Sequence, residues 1–293
     1  MEQKLPTYGG QAVIEGVMMR GAQSVAIAMR APDQEIVIHT EPLVGIYKSK
    51  ITKIPFLRGL VALWDALGLG IRALTISANT QTGEEDKLEG PALYITIGIS
   101  LTLGIGLFFL LPAFIGQVSE KFIDISTWWS NLIEGFVRLG LLILYIWLVG
   151  KTPDIKRVFA YHGAEHKTIN AFEAGADLNP EIVRNYSLEH PRCGTAFLLT
   201  LVLLSVVIFS LLGPLPLSLR LLSRILLLPV LAGIAYEYIR WTANHLDLKI
   251  VQLIVKPNLS LQHLTTREPT LDMLEVSIAA FNAMRSQERI VTS

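Results

Sequence analysis

The stretch Leu93–Ile115, LYITIGISLTLGIGLFFLLPAFI, runs for 23 residues without a charged side chain. That is close to the roughly 20 helical residues needed to cross about 30 Å of hydrocarbon. Three more segments repeat the pattern: Ile133–Val149, Thr195–Leu212 and Leu221–Ile239. Trp128, Trp129, Trp147 and Trp241 stand near segment ends, as interfacial anchors do. The chain therefore reads as mainly α, a polytopic membrane protein with four transmembrane helices. Arg138 lies early in the second span, from where its stem can snorkel to the interface. Composition agrees, with 51% hydrophobic and 17% charged residues, against about a quarter charged in soluble domains.

Lysine and arginine set the expected orientation, because cytoplasmic loops carry an excess of them. Nine precede the first span, six lie between spans two and three, and five follow Arg240. The loop between spans one and two has only Lys121, and Arg220 and Arg224 stand at the mouth of the last helix. Both termini are expected in the cytoplasm. The formal net charge is zero, so nothing in the charge balance points to nucleic acid. A single cysteine, Cys193, rules out an intramolecular disulfide. No cleavable signal peptide is visible in the mixed polar first 40 residues.

Residues 1–55 read as a small β-rich cytoplasmic unit. Ser24–Arg30 and Glu35–Thr40 have strand composition, joined by the turn-forming Ala31-Pro32-Asp33-Gln34. Gln11–Met19 is another extended candidate, flanked by glycines, and Ile36–His39 leaves the strand register open. Residues 56–92 are expected to hold an interfacial amphipathic helix, Phe56–Ser77, and an acidic loop, Thr80–Gly90. Asp65 and Arg72 share one face of that helix, which would be costly at a bilayer centre. Lys48, Lys50, Lys53 and Arg58 suit an anionic lipid surface, and a re-entrant or spanning helix is the alternative. Residues 93–246 form the four-span domain, with a cytoplasmic helix at 153–174 and a motif loop at 175–194. Thr152, Pro153 and Asp154 start that helix and Gly175 ends it. Residues 247–293 form a cytoplasmic tail with a strand-like Lys249–Val255, a turn at Lys256-Pro257-Asn258, and a helix over about Thr270–Arg285. Leu271, Leu274, Ile278 and Phe281 make the stripe of that last helix.

Helix 153–174 carries Tyr161-His162-Gly163-Ala164-Glu165-His166-Lys167. His162 and His166 fall one turn apart on one face, with Glu165 beside them. This His-x-x-Glu-His spacing is that of the inverted zinc-protease motif, two imidazole ligands with a glutamate as general base. A polar face on an interfacial helix would look the same. Glu173 lies about 10 Å further along the axis, too far to share the ion, so a third ligand must come from elsewhere. His190 and Cys193, in His190-Pro191-Arg192-Cys193, are the leading candidates, although that loop could equally be a turn capping a span. Glu15, Glu237 and His245 are further candidates. The glycine-rich Gly9–Gly21 lacks the Gly-Lys-Ser/Thr ending of a phosphate loop, and its glycines suit tight turns against another element.

In combination, GGQAVIEGVMMRG (9–21), FLRGLVALWDALGLG (56–70), YHGAEHKTINAFEAG (161–175), HPRCGTAF (190–197), AYEYIR (235–240) and TREPTLDMLEVSIAA (266–280) resemble the YqhQ-like bacterial membrane proteins, described as predicted metal-dependent enzymes. The resemblance implies a multi-pass protein of the bacterial plasma membrane with a divalent metal, zinc by its ligand types. One expectation is a membrane-embedded metal-dependent hydrolase. It would use Glu165 as base and His162 and His166 as metal ligands, with His190 or Cys193 supplying the third, on a lipid-linked or membrane-proximal peptide. The other is a non-enzymatic membrane scaffold or assembly factor with a structural His/Glu/Cys cluster. The expected partners are membrane lipids, with a second copy of the chain or another membrane protein left open and no nucleic acid.

Overall fold

The structure, a computed structural model, describes residues 8–44, 51, 54–82 and 90–292. Lys48, Lys50, Lys53, most of the acidic loop Thr80–Gly90 and the side chain of Asp65 lie outside the described residues. The chain is mainly helical, with a small four-stranded antiparallel sheet near its N-terminus.

Strands β1 (Gly9–Val13), β2 (Gly16–Arg20), β3 (Ser24–Arg30) and β4 (Ile36–Pro42) pair in chain order. The expected single extended piece Gln11–Met19 is instead two strands. The chain reverses at Ile14-Glu15, where Glu15 has a φ of 52°. The register pairs Ile27 with His39 and Met29 with Val37. Period-2 alternation then sends Val25, Ile27 and Met29 to one face and Ala26 and Ala28 to the other. Both faces are covered. Helix α1 (Leu57–Gln81) packs Ala73, Leu69 and Ile76 on the first. The second is covered by α5 (Pro153–Glu173) and α11 (Leu271–Thr292), which contribute Tyr161, Ile169, Leu274 and Phe281. The tail stripe is thus buried at Leu274, Ile278 and Phe281, with Leu271 at its exposed end.

Helix α1 reaches from this unit into the helical bundle. Gly59 lets it cross α9 (Leu228–Ala243) closely, for a Cβ there would stand 2.9 Å from the Cα of Gly233. Arg58 pairs with Glu237 at that crossing, and Arg72 pairs with Glu41 of the sheet at 2.7 Å.

Helix α2 (Gly90–Ile105), a π-helical stretch (Gly106–Leu110) and α3 (Leu111–Ile123) form one continuous rod. Among the described residues, this rod and α4 (Thr127–Val149) are long and apolar enough to cross a membrane. Helices α8 (Leu217–Leu226) and α9 make a third such length if the pair, bent by 43°, is one span. Helix α7 (Gly194–Ser210) is apolar but shorter. The expected continuous helix Leu221–Ile239 is therefore corrected to two helices meeting at Leu227. Pro229, in the first turn of α9, cannot donate the backbone bond that would continue α8. Arg138 is corrected too: its side chain is 1% exposed and pairs with Glu134 inside the bundle at 2.7 Å.

The tail departs further from expectation. Lys249–Thr265 is one helix, α10, with Pro257 inside it, where a strand and a turn were expected. Its β-branched residues suggest a strand, but Val251, Val255, Asn258, Gln262 and Thr265 form a buried helical stripe that packs mainly on α7. Tertiary packing outweighs local propensity here. Phe281 is fully buried and meets Tyr8 and Phe172 edge-on or tilted, at centroid distances of 5.2 and 4.9 Å. Phe281→Ala should lower unfolding stability by about 3–5 kcal/mol, read from chemical denaturation of the purified protein.

Candidate metal centre

Three other stretches of the chain meet α5: β1, the loop 175–194 and the link between α10 and α11. The middle of α5 presents His162, Glu165 and His166. The loop that includes the four-residue helix α6 (Pro180–Val183) folds back along it, tied by Lys167, whose buried ammonium donates to the carbonyls of Arg184 and Tyr186 at 2.7 and 2.9 Å. Asn170 donates to Ser187 and Glu189 carbonyls in the same way. That fold-back delivers Cys193 to the imidazoles.

Both imidazoles are fixed through Nδ1. His162 Nδ1 donates to the carbonyl of Thr265 at 2.9 Å, and His166 Nδ1 to the carbonyl of Leu188 at 2.5 Å. A carbonyl only accepts, so each Nδ1 carries a proton, which in the neutral ring leaves the lone pair on Nε2. This backbone-fixed tautomer is how metal-binding histidines are commonly oriented. His162 Nε2 lies 3.2 Å from Cys193 Sγ. His166 Nε2 is buried and, among the described residues, has no hydrogen-bond partner. The three potential ligand atoms lie within 4.8 Å of one another. Ligand atoms on one tetrahedral zinc stand about 3.3–3.8 Å apart, so the set fits with small adjustments. Two imidazoles and a sulfur are the donor types zinc takes. Cys193 caps the N-terminus of α7, and its sulfur accepts from the Thr195 amide at 3.3 Å. That end of a helix favours an anionic ligand atom.

Glu165 stands beside the cluster, its carboxylate 3.9 Å from His162 Nε2. Burial pushes its pKa up to about 7, against the opposing pull of His162 and of the Gly10 backbone amide, which hydrogen-bonds the carboxylate. A carboxyl group poised there can take or give a proton near neutral pH. Gly10 can approach only because it lacks a side chain: a Cβ would meet Glu165 Cγ at 2.8 Å and the Met18 carbonyl at 2.6 Å. Tight turns were expected of the N-terminal glycines; Gly10 instead lies within β1 and serves a close approach onto the site.

The remaining candidates are engaged differently. His190 is buried next to His166, with ring centroids 5.6 Å apart. Its Nε2 faces Glu173 at 3.8 Å, and Arg192 pairs with the same carboxylate. Burial depresses the His190 pKa, with Glu173 opposing. Burial would raise Glu173, but His190 and Arg192 hold it below the usual range. His190 thus lines the site without joining the three-residue cluster. Glu15 forms a two-point pair with Arg157, both contacts at 2.5 Å. Glu237 holds Arg58 and the Phe56 amide. His245 bonds the Trp241 carbonyl at 2.8 Å and stacks on its ring. None of these three reaches the cluster. The sequence reading missed Gly10, Thr265 and Leu188, which act through backbone atoms; only the glycine run carried a signal.

The fold and the site define a mainly helical protein with two or three helices of membrane-crossing length, whose α5 organises a buried His–His–Cys group. The chain belongs to the family described as "Protein of unknown function (DUF1385)", whose profile matches residues 54–287. It is 36% identical over 300 residues to the Bacillus subtilis (strain 168) protein described as "Uncharacterized protein YqhQ", covering 97% of this chain and 94% of that one. The motif resemblance and these matches agree on a YqhQ-like family. No solved structure matches the chain.

Gly10→Ala must shift either Glu165 or the β2 backbone, and should cost about 1–3 kcal/mol. Gly9→Ala, with no atom within 4 Å of the new Cβ, is the control. Thermal unfolding of the two variants side by side measures the difference.

Proposed function

We propose that this chain is a multi-pass plasma-membrane protein carrying a metal-dependent hydrolase site at the cytoplasmic membrane interface. The four spans of this reading are the α2–α3 rod, α4, α7 and the bent α8–α9 pair. The basic-residue count supports placing both termini, the sheet and α5 in the cytoplasm. The observation that carries the reading is the buried, partnerless Nε2 of His166, aimed where His162 Nε2 and Cys193 Sγ already meet. A buried nitrogen left without a partner is costly, and an ion removes the cost.

In this reading His162, His166 and Cys193 hold the metal. A bound zinc supplies a Lewis acid and a water of lowered pKa. Glu165, held by the Gly10 amide, accepts the proton of the attacking water and returns it to the leaving group. Thr265 and Leu188 keep the imidazoles in the ligating tautomer. The N-terminal half of α1, with Trp64 and Leu67 exposed, suits delivery of a lipid-linked or membrane-proximal peptide.

A scaffold with a structural metal is the second reading. It is favoured by the enclosure of the site, with Glu165, His166 and Cys193 each 5% exposed or less. The two differ in the fourth ligand position, open in an enzyme and closed in a structural site.

Purified wild-type protein should contain about one zinc per chain, and His162→Ala/His166→Ala should contain almost none, by elemental analysis. Sub-stoichiometric metal in both overturns the metal reading. Cobalt-substituted protein should change its visible spectrum when azide is added if the fourth position is open; an unchanged spectrum favours the scaffold.

A further inference from the structure

The end of the bundle away from the His–His–Cys group holds a second polar centre. Glu134, in the second turn of α4, is 1% exposed and receives three guanidinium groups. Arg138 reaches it at 2.7 Å, Arg224 at 2.6 Å and Arg220 at 3.1 Å. Arg138 also donates to Ser205 Oγ at 2.6 Å and to the Phe108 carbonyl, in the π-helical stretch, at 2.9 Å. Asn131 Oδ1 accepts from Arg220 and Arg224 at 3.0 and 3.1 Å. The guanidinium carbons of Arg138 and Arg224 stand over the Phe209 ring, 5.2 and 4.2 Å from its centroid. Glu134 and Val149 are 15 residues apart on α4, so this centre stands about 22 Å from the helix end that leads to α5.

Its charges do not balance. Three arginines face one buried carboxylate, and among the described residues the only other acid in contact is Glu120, 3.0 Å from Arg220 Nη1 and 23% exposed. Counting both carboxylates, one positive charge remains in excess, an arrangement costly in an apolar interior unless an anion completes it. The incomplete edge can be named. Among the described residues, Arg220 Nη1 bonds only Glu120 and, at 3.4 Å, Gln117. Among the same described residues, Arg224 Nη1 bonds only its neighbour Ser223, at 3.1 Å. Glu120 has an alternative partner in the Thr127 hydroxyl, at 2.8 Å, which would keep it in place if it left Arg220.

We propose that this edge is a phosphate-binding site. A phosphate displaces the Glu120 carboxylate from Arg220 and takes donors from Arg220 and Arg224, for which planar guanidinium groups are well matched. The phosphate is the diester of a lipid headgroup in the non-cytoplasmic leaflet or a free phosphate on that side. The side rests on the four-span reading; the site does not depend on the metal centre.

The test uses the full chain in a neutral detergent and reads its melting temperature against increasing inorganic phosphate or phosphatidylglycerol. Sodium chloride of equal ionic strength is the control. Wild type should be stabilised by phosphatidylglycerol alone, which assigns the lipid, or by both ligands, which assigns the phosphate group itself. Glu120→Gln removes the competing carboxylate and should lower the half-saturating concentration about three- to tenfold. Arg220→Gln, if it folds, should abolish the response. Stabilisation by neither ligand, an equal rise with chloride, or Glu120→Gln binding no tighter than wild type overturns the proposal. The gain expected of Glu120→Gln keeps the test decisive if the arginine variant does not fold.

Discussion

Helix α5 buries imidazole, carboxylate and ammonium groups away from water, and each of them has to be met by another part of the chain. Lys167 takes the carbonyls of the returning loop, His166 takes Leu188, His162 takes Thr265, and Glu165 takes the Gly10 amide. Unmet, any of these would cost more than an ordinary hydrogen bond supplies. The sheet, the loop before α7 and the link between α10 and α11 are therefore held in place by polar groups on one helix as much as by the apolar core. The site and the fold of the unit formed by the sheet, α5 and α11 are the same set of contacts.

The bundle repeats the logic with charges. Glu134 gathers arginines from its own helix and from α8, so the broken α8–α9 segment is docked by a carboxylate rather than by apolar packing alone. The π-helical stretch between α2 and α3 contributes the Phe108 carbonyl that Arg138 uses, an irregularity that serves a contact. One polar centre thus gathers on α5 and the other near the N-terminal end of α4.

Much of this was legible in the chain. The apolar run of Leu93–Ile115, the Thr152–Pro153 helix start and the tail stripe of Leu274, Ile278 and Phe281 all follow from local spacing. So did the pairing of His162 with His166, because one helical turn is a local quantity. The third member was not. Cys193, His190, Glu15, Glu237 and His245 were all admissible, and only the fold-back of the 175–194 loop separates them. Lys249–Val255 reads as a strand because its β-branched residues were weighed without α7, which buries them as a helix. Arg220 and Arg224 read as a span's mouth because the bend at Leu227 that turns them inward is tertiary.

By itself, the sequence determined helix periodicity, the lengths of the apolar runs, the strand composition of Ser24–Arg30 and the one-turn spacing of the two imidazoles. These depend on residues within a few positions of each other, where backbone geometry alone fixes the answer. Only the tertiary structure decided that Cys193 completes the histidine pair, that Gly10 meets Glu165, and that the Thr265 and Leu188 carbonyls set the tautomers. Those contacts join backbone atoms and side chains up to about 155 residues apart, and a carbonyl carries no side-chain identity to read. Their meeting depends on how the helices cross, a balance of burial and hydrogen bonding over the whole chain.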